Sequence, residues 1–323
     1  MHKYIFKRIL MLIPVIIGVS FLIFCMMEAA PGDITDVIGA EWTEEDLAAL
    51  REELHLDKGL FYRYFAYMWD LIHGDLGYSY LLKANVWDLY IQRIPKTLFL
   101  AVASVIVCVV LSLPLGIYSA LKHGTPIDNI CTVGALLGLS IPNFWLGLLL
   151  IILFAQILGW FPAYGANEGI KSVILPAFTI GTGLMAIMAR TTRSSMLDVL
   201  RADYLRTARS KGVDEKLVIN KHGLRNALIP IITVFGSQFG GCIGGSVVTE
   251  NVFTWPGVGQ LLVSAIKQRD TTLVCGLLIM TVIMISIVQL GVDILYAYVD
   301  PRLKSQYTNT KKRKSKKEKE AAA

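Results

Sequence analysis

Few side chains in this 323-residue sequence are of a type and spacing that could carry out covalent or proton chemistry. The five histidines, His2, His55, His73, His123 and His222, are expected in loops, and none stands in the HExxH spacing that holds zinc. The five cysteines, Cys25, Cys108, Cys131, Cys242 and Cys275, occur singly inside apolar runs. Without a CxxC pair they outline neither a metal cage nor a disulfide framework, and they are read as packing residues. The stretch from Gly165 to Ser172 comes nearest to a phosphate-cradling GxxxxGK[ST] loop, but its spacing is wrong. The chain is therefore expected to be no enzyme, to hold no metal or cofactor, and not to bind ATP itself.

Polar chemistry concentrates elsewhere. Residues 201–212 read Arg201-Ala202-Asp203-Tyr204-Leu205-Arg206-Thr207-Ala208-Arg209-Ser210-Lys211-Gly212. This is a short basic helix for which Gly212 supplies the C-cap, and a second helical stretch is expected from Asp214. On these residues alone it is an amphipathic hairpin at a membrane surface. A further segment, Gly74-Asp75-Leu76-Gly77-Tyr78-Ser79, is turn-forming. Gly236, Gly240, Gly241, Gly244 and Gly245 make overlapping small-xxx-small pairs, which permit close helix packing in lipid, beside the polar Ser237 and Gln238.

The elements that must position these residues follow from where charge is missing. Hydrophobic residues make up 54% of the chain, charged residues only 17%, and mean hydropathy is +0.55. A soluble domain carries about a quarter charged residues. Charge-free runs cover residues 9–27, 97–121, 129–167, 172–189, 226–249 and 271–292. About 20 apolar residues of helix cross the hydrocarbon of a bilayer. The runs lack the alternation of barrel strands, so an all-α polytopic membrane protein with six transmembrane helices is expected. Glu28-Ala29-Ala30 puts a carboxylate where a signal-peptide cleavage site needs a small residue, so the first run is read as a retained anchor.

Lys3, Lys7 and Arg8 place the N-terminus in the cytoplasm, and six crossings return the C-terminus there. The expected organisation is an N-terminal tail and first span (1–30), an extracytoplasmic segment (31–95), a core (96–299) with an inner loop at 190–226, and a basic tail (300–323). The net charge of +6 follows the positive-inside rule and does not imply nucleic acid. The run Lys311-Lys312-Arg313-Lys314 is read as resting near anionic lipid. In the outer segment, Thr43 and Asp46 resemble a capping box that starts an amphipathic helix. The spans carry almost no ionisable groups, Glu28 and Asp293 being read as boundary residues. A gradient-driven transporter needs such groups near the midplane, so energy is expected from a partner.

The inner loop resembles the cytoplasmic coupling loop of ABC importer permeases, in the variant of the dipeptide/oligopeptide/nickel permease family. The family string Tyr-x-Arg-Thr-Ala-Arg-x-Lys-Gly is reproduced from Tyr204 to Gly212, although the Glu of the more general loop is absent. Gly74-Asp75-Leu76-Gly77, Ile141-Pro142-Asn143-Phe144-Trp145, the stretch from Arg190 to Ser195, and Glu250 through Leu261 are similar to the same family, in order along nearly the whole chain. The resemblance implies a type I ABC importer permease fold in a prokaryotic cytoplasmic membrane. It also implies a second homologous permease subunit, two cytoplasmic P-loop ATPases carrying ATP and Mg, and an extracytoplasmic solute-binding protein. It assigns ATPase coupling to Asp203, Tyr204, Arg206, Thr207, Ala208, Arg209, Lys211 and Gly212. Binding-protein docking or an outer gate falls to Gly74, Asp75, Gly77, Ser79, Pro256, Gly257 and Gly259. The path or subunit contact falls to Ser237, Gln238, Gly240, Gly241 and Gly244. The implied cargo is di- or oligopeptide, with nickel chelate, glutathione or another small solute open, and an ion-coupled transporter or channel as the competing class.

Overall fold

In the computed structural model, residues 2–29, 34–39 and 42–299 are described. Five of the six charge-free runs are helical throughout, and the run at 129–167 is helical as far as Ile157 apart from its break at 141–142. Unbroken helices long and apolar enough to cross a bilayer are found at Leu10–Ala29 within α1 (His2–Ala29), α5 (Val86–Leu121), α8 (Ile170–Leu200) and Thr271–Val292 within α13 (Thr271–Val299). The other two runs are bent. The run at 129–167 breaks at Ile141-Pro142, because a residue preceding proline is driven out of the helical region; Ile141 has ψ 123°. There α6 (Pro126–Ser140) ends, and α7 (Asn143–Leu150), continued by a π-helical turn Ile151–Ile157, begins. The run at 226–249 lies in α11 (Arg225–Val252), which bends by 48° where Pro230 removes an internal hydrogen bond. Counting each bent pair as one span gives six.

Short elements fill the connections. They are α2 (Ile34–Ile38), α3 (Glu44–Glu53), α4 (Leu60–Ile72), a two-stranded hairpin of β1 (Tyr78–Ser79) and β2 (Ala84–Asn85), α9 (Asp203–Ser210), α10 (Glu215–Leu217) and α12 (Val258–Lys267). The capping box forms, with Thr43 Oγ1 accepting from the Asp46 amide at 3.2 Å. The helix of the second charge-free run starts eleven residues earlier than the run itself, at Val86 rather than residue 97, and continues through Pro95. Val86, Tyr90 and Ile94, spaced by four, are buried on one face and pull the extra turns into a core with α12 and α13. Two of the histidines expected in loops stand in helical turns, His2 in α1 and His222 in the π-helical turn Val218–Leu224.

The chain divides into two compact units. One comprises Met1–Ala103, Asn143–Ala177 and Ile243–Ser286. Its main core joins Leu76, Val86 and Tyr90 to Val258, Leu261 and Leu273, and a second joins Ile151 and Leu175 to Phe253. The other comprises Ser104–Pro142, Phe178–Cys242 and Ile287–Ala323. Its core gathers Cys108, Met188, Met196, Ala227 and Ile231. Cys108, Cys242 and Cys275 are buried, in keeping with packing roles.

Candidate functional site

The basic loop sits in the second unit. Leu205 and Val218 are fully buried and pin α9 to the following π-helical turn. The opposite face is open: the side chains of Asp203 and Arg206 are 98% and 76% exposed, and Tyr204, Thr207 and Lys211 are exposed as well. The end of α9 is a Schellman motif, with the Gly212 amide bonding Arg209 O at 2.9 Å and the Val213 amide bonding Ala208 O at 3.3 Å. Gly212 has φ +73°, a conformation that costs an L side chain. The chain then reverses, and Asp214 caps the next helix through the Lys216 amide at 2.8 Å. Arg209 forks onto Glu215 at 2.8 and 3.0 Å, an exposed pair that spans the reversal. On the open face of α9 Arg206 stands 3.9 Å from Asp203 in an exposed pair, and Lys211 is exposed beside it.

A polar knot that the sequence does not advertise lies in the same unit. The Asp128 side chain, 5% exposed, accepts from Arg193 Nε at 2.8 Å and Nη2 at 2.7 Å. It also accepts from Ser119 Oγ and from the Gly124 amide at 3.0 Å, while His123 Nδ1 lies 3.2 Å away. One carboxylate thereby ties the end of α5, the turn after it, the start of α6 and the lower part of α8. Arg193 belongs to the stretch singled out at 190–195, yet its partner is 65 positions away. No local pattern announces the pair.

In the first unit the segments at 74–79 and 256–259 converge on one core, to which Leu76 and Val258 both belong. The Gly77 amide bonds Asp75 Oδ1 at 2.8 Å, and Gly77 has φ +87°; a Cβ there would collide with Thr272. Ser79 Oγ donates to Asp270 Oδ2 at 2.6 Å, and Asp270 Oδ1 accepts the Leu273 amide at 3.0 Å. Asp270 is therefore the N-cap of α13 and the anchor of the hairpin. Its burial pushes the carboxyl pKa up, against the hydrogen bonds from Ser79 and Leu273 that lower it.

The segment at 250–261 is organised by Glu250, whose side chain is fully buried. Thr97 Oγ1 donates to it at 2.8 Å, Ser246 Oγ at 3.1 Å and the Gln260 amide at 3.1 Å. This carboxylate caps α12 from outside, because the N-cap residue Gly257 has no side chain to do so. Gly257 and Gly259 allow the approach: a Cβ on Gly257 would strike the carboxylate, and one on Gly259 would lie 2.6 Å from Val247 Cα. The turn leading in carries Thr254 at φ +48°, strained for a β-branched residue and held by the buried Trp255, whose Nε1 donates to Lys96 O at 3.0 Å. The sequence around Glu250 gives it no role, because a charged residue eight positions before the helix it caps carries no local signal.

The glycine face of α11 is mixed. Gly236 and Gly240 are buried, whereas Gly241 and Gly244 are exposed; a Cβ on Gly241 would meet nothing within 4 Å. Gln238 is half-buried, with its amide nitrogen unpartnered among the described residues. The side chains of Ser237, Gly245 and Asp293, and the tail at 300–323, lie outside the described residues.

Comparison with known proteins accords with this architecture. Residues 112–305 match the family described as binding-protein-dependent transport system inner membrane component, and residues 1–101 match its companion N-terminal family. The oligopeptide transport system permease protein AppB of Bacillus subtilis is 41% identical, over 94% of this chain and 99% of that one. The glutathione transport system permease protein GsiC of Escherichia coli K12 is 39% identical over the same shares. Among solved structures, an inward-facing MetNI methionine ABC transporter chain superposes with a TM-score of 0.53 at 18% identity, covering 66% of this chain and 96% of that one. An amino acid ABC transporter gives 0.50 at 16% identity, covering 67% and 94%. These likenesses show the ABC importer permease fold. The chain is a transport permease subunit rather than an enzyme, and it belongs to the family of binding-protein-dependent transport system inner membrane components.

Proposed function

We propose that this chain carries peptides, as one permease half paired with a second, homologous subunit. Two cytoplasmic P-loop ATPases with ATP and Mg, and an extracytoplasmic solute-binding protein, complete the importer. Both termini face the cytoplasm, and the loop at 190–226 faces the ATPases. The observation that carries the reading is α9: a short helix anchored by one buried leucine, open on its cationic face and clamped at its end by Gly212 and the Arg209–Glu215 fork. Such an elbow is stiff enough to act as a lever. Nucleotide-driven closure of the ATPases would move it, and with it α8 and the helix that follows, between two packings.

Asp203, Tyr204, Arg206, Thr207, Ala208, Lys211 and Gly212 form or shape the coupling face, while Arg209 acts by holding the elbow. The segments around Gly74, Asp75, Gly77 and Ser79, and around Pro256, Gly257 and Gly259, form the docking or gating side. Gln238 and Ser237, with Gly240, Gly241 and Gly244, border the path or the second permease. The support for peptide cargo is that relatives named for oligopeptide and for glutathione are matched almost equally well. Glutathione is itself a peptide, so it is the second reading. Co-purification tests the assignment: the ATPase is expected to stay bound to the intact chain and to be lost on deleting residues 203–211 or on Gly212→Pro. Retention after both changes contradicts it.

A further inference from the structure

We infer that α4 is a membrane-embedded helix, and that the face bearing Phe61, Phe65, Trp69 and Ile72 is covered by phospholipid acyl chains. The helix lies in a segment that charge and length place outside the membrane. Its packing is at membrane depth. Tyr64 Oη donates to Ile17 O at 2.9 Å and lies 3.1 Å from Ser20 Oγ. Phe61 stacks on Phe21 with ring centroids 5.9 Å apart, and Tyr67 rests against Phe24 at 5.4 Å. The apolar span of α1 is Leu10–Ala29, so Ser20 is near its middle. At about 1.5 Å per residue Ser20 is roughly 13 Å below Ala29, against a hydrocarbon half-thickness of about 15 Å. A helix seated on Ser20 is therefore within the leaflet at the Ala29 end of α1. Under the orientation proposed above that leaflet is the outer one; the depth itself does not depend on orientation.

The three faces of α4 agree with this placement. Tyr64 and Met68 pack on α1. Arg63, Ala66 and Asp70 line a cavity of about 660 Å³, where Arg63 pairs with Glu28 at 2.6 Å, so the one cation of α4 is both neutralised and served by a polar space. The third stripe, Phe61, Phe65, Trp69 and Ile72, is 65–75% exposed and carries no charge. Positions spaced i, i+4, i+8 and i+11 lie on one side of a helix. On α1, to which α4 is packed, Ile17, Leu22 and Met26 are likewise apolar and exposed. In contrast, α3 exposes Glu44, Glu45 and Glu52. At 13 residues α4 is about 20 Å long, too short to cross, so it enters the leaflet without spanning it.

The test is photo-cross-linking in the complete transporter in native membranes, with p-benzoylphenylalanine replacing Phe65 and, in a second variant, Ile72. The same probe at Ile17 serves as the lipid-facing reference and at Glu52 as the exposed polar one. The expected result is a shift of one phospholipid mass at both α4 positions and at Ile17, and none at Glu52. An adduct with any protein at the α4 positions, whether binding protein, second permease or another copy of this chain, overturns the inference. So does the absence of any adduct there while Ile17 acquires lipid.

Discussion

Arg193 grips Asp128 through two parallel hydrogen bonds, at 2.8 and 2.7 Å, joining helices whose contacting residues are 65 positions apart. The carboxylate keeps three further contacts, with Ser119, Gly124 and His123. Asp128 is buried, whereas Arg193 is 29% exposed, so losing Arg193 strands a carboxylate and losing the carboxylate leaves a guanidinium that water can partly meet. Asp128→Asn and Arg193→Ala are each expected to cost about 1–3 kcal/mol of stability. Because both cut the same contact, the double variant should cost much less than their sum, which a double-mutant cycle on thermal unfolding in detergent measures.

Gly212→Ala places a Cβ at φ +73°, where an L residue is disfavoured by about 1–2 kcal/mol. The Schellman closure of α9 should loosen, and amide exchange at Gly212 and Val213 should rise by about tenfold, one factor of ten per 1.4 kcal/mol. Gly212→Asn should fall between the two, since asparagine tolerates this region better.

Thr254 predicts the opposite sign. It occupies a left-handed conformation at φ +48° with a branched side chain. Thr254→Gly removes that strain and should raise stability by about 0.5–1 kcal/mol after the entropy of the added glycine is counted. A thermal midpoint that falls on this change would mean that the threonine side chain contributes more than its strain costs.

Glu250→Ala strands the hydroxyl of Thr97 and the amide of Gln260 in a dry interior and strips α12 of its cap. A loss of about 2–4 kcal/mol is expected from two unsatisfied donors. Gly259→Ala should also destabilise, because its Cβ would press on the backbone at Val247. Both effects are read from unfolding midpoints.

Asp270 sets a pH dependence. Burial raises its pKa above the ordinary value of 3.8, so the folded state holds the proton more tightly than the unfolded chain does. Its favourable contribution is then fully present below the unfolded value and is lost as pH rises through the raised folded value. Asp270→Asn should flatten the midpoint-versus-pH curve above about pH 4, where a free aspartate has already ionised.

Much of this was legible before the fold was seen, and the reason is physical. Lipid forbids charge over a whole span, so the six runs declare themselves residue by residue, and a left-handed cap such as Gly212 is chosen by one residue type. The breaks were less visible. The run at 129–167 reads as one charge-free stretch although it breaks at Pro142 into separate helices. The extension of α5 back to Val86 depends on Tyr90 and Ile94 meeting residues of α12 and α13 nearly two hundred positions on. Long-range polar contacts were not legible at all. Asp128 looks like an ordinary first-turn acid of α6 and Glu250 like a boundary charge, until tertiary packing supplies Arg193 to one and Thr97 with Gln260 to the other. The depth of α4 was hidden for the same reason: its aromatic stripe reads as amphipathic, and only Tyr64 against Ser20 shows where it lies.

Cross-linking from position 206 during ATP-driven uptake tests the central claim most directly. With a photoreactive residue in place of Arg206, whose side chain is open on the free face of α9, the account predicts an adduct with an ATPase subunit and arrest of uptake in the cross-linked fraction. Adducts with lipid alone, in a transporter that still imports peptide at the normal rate, would contradict it.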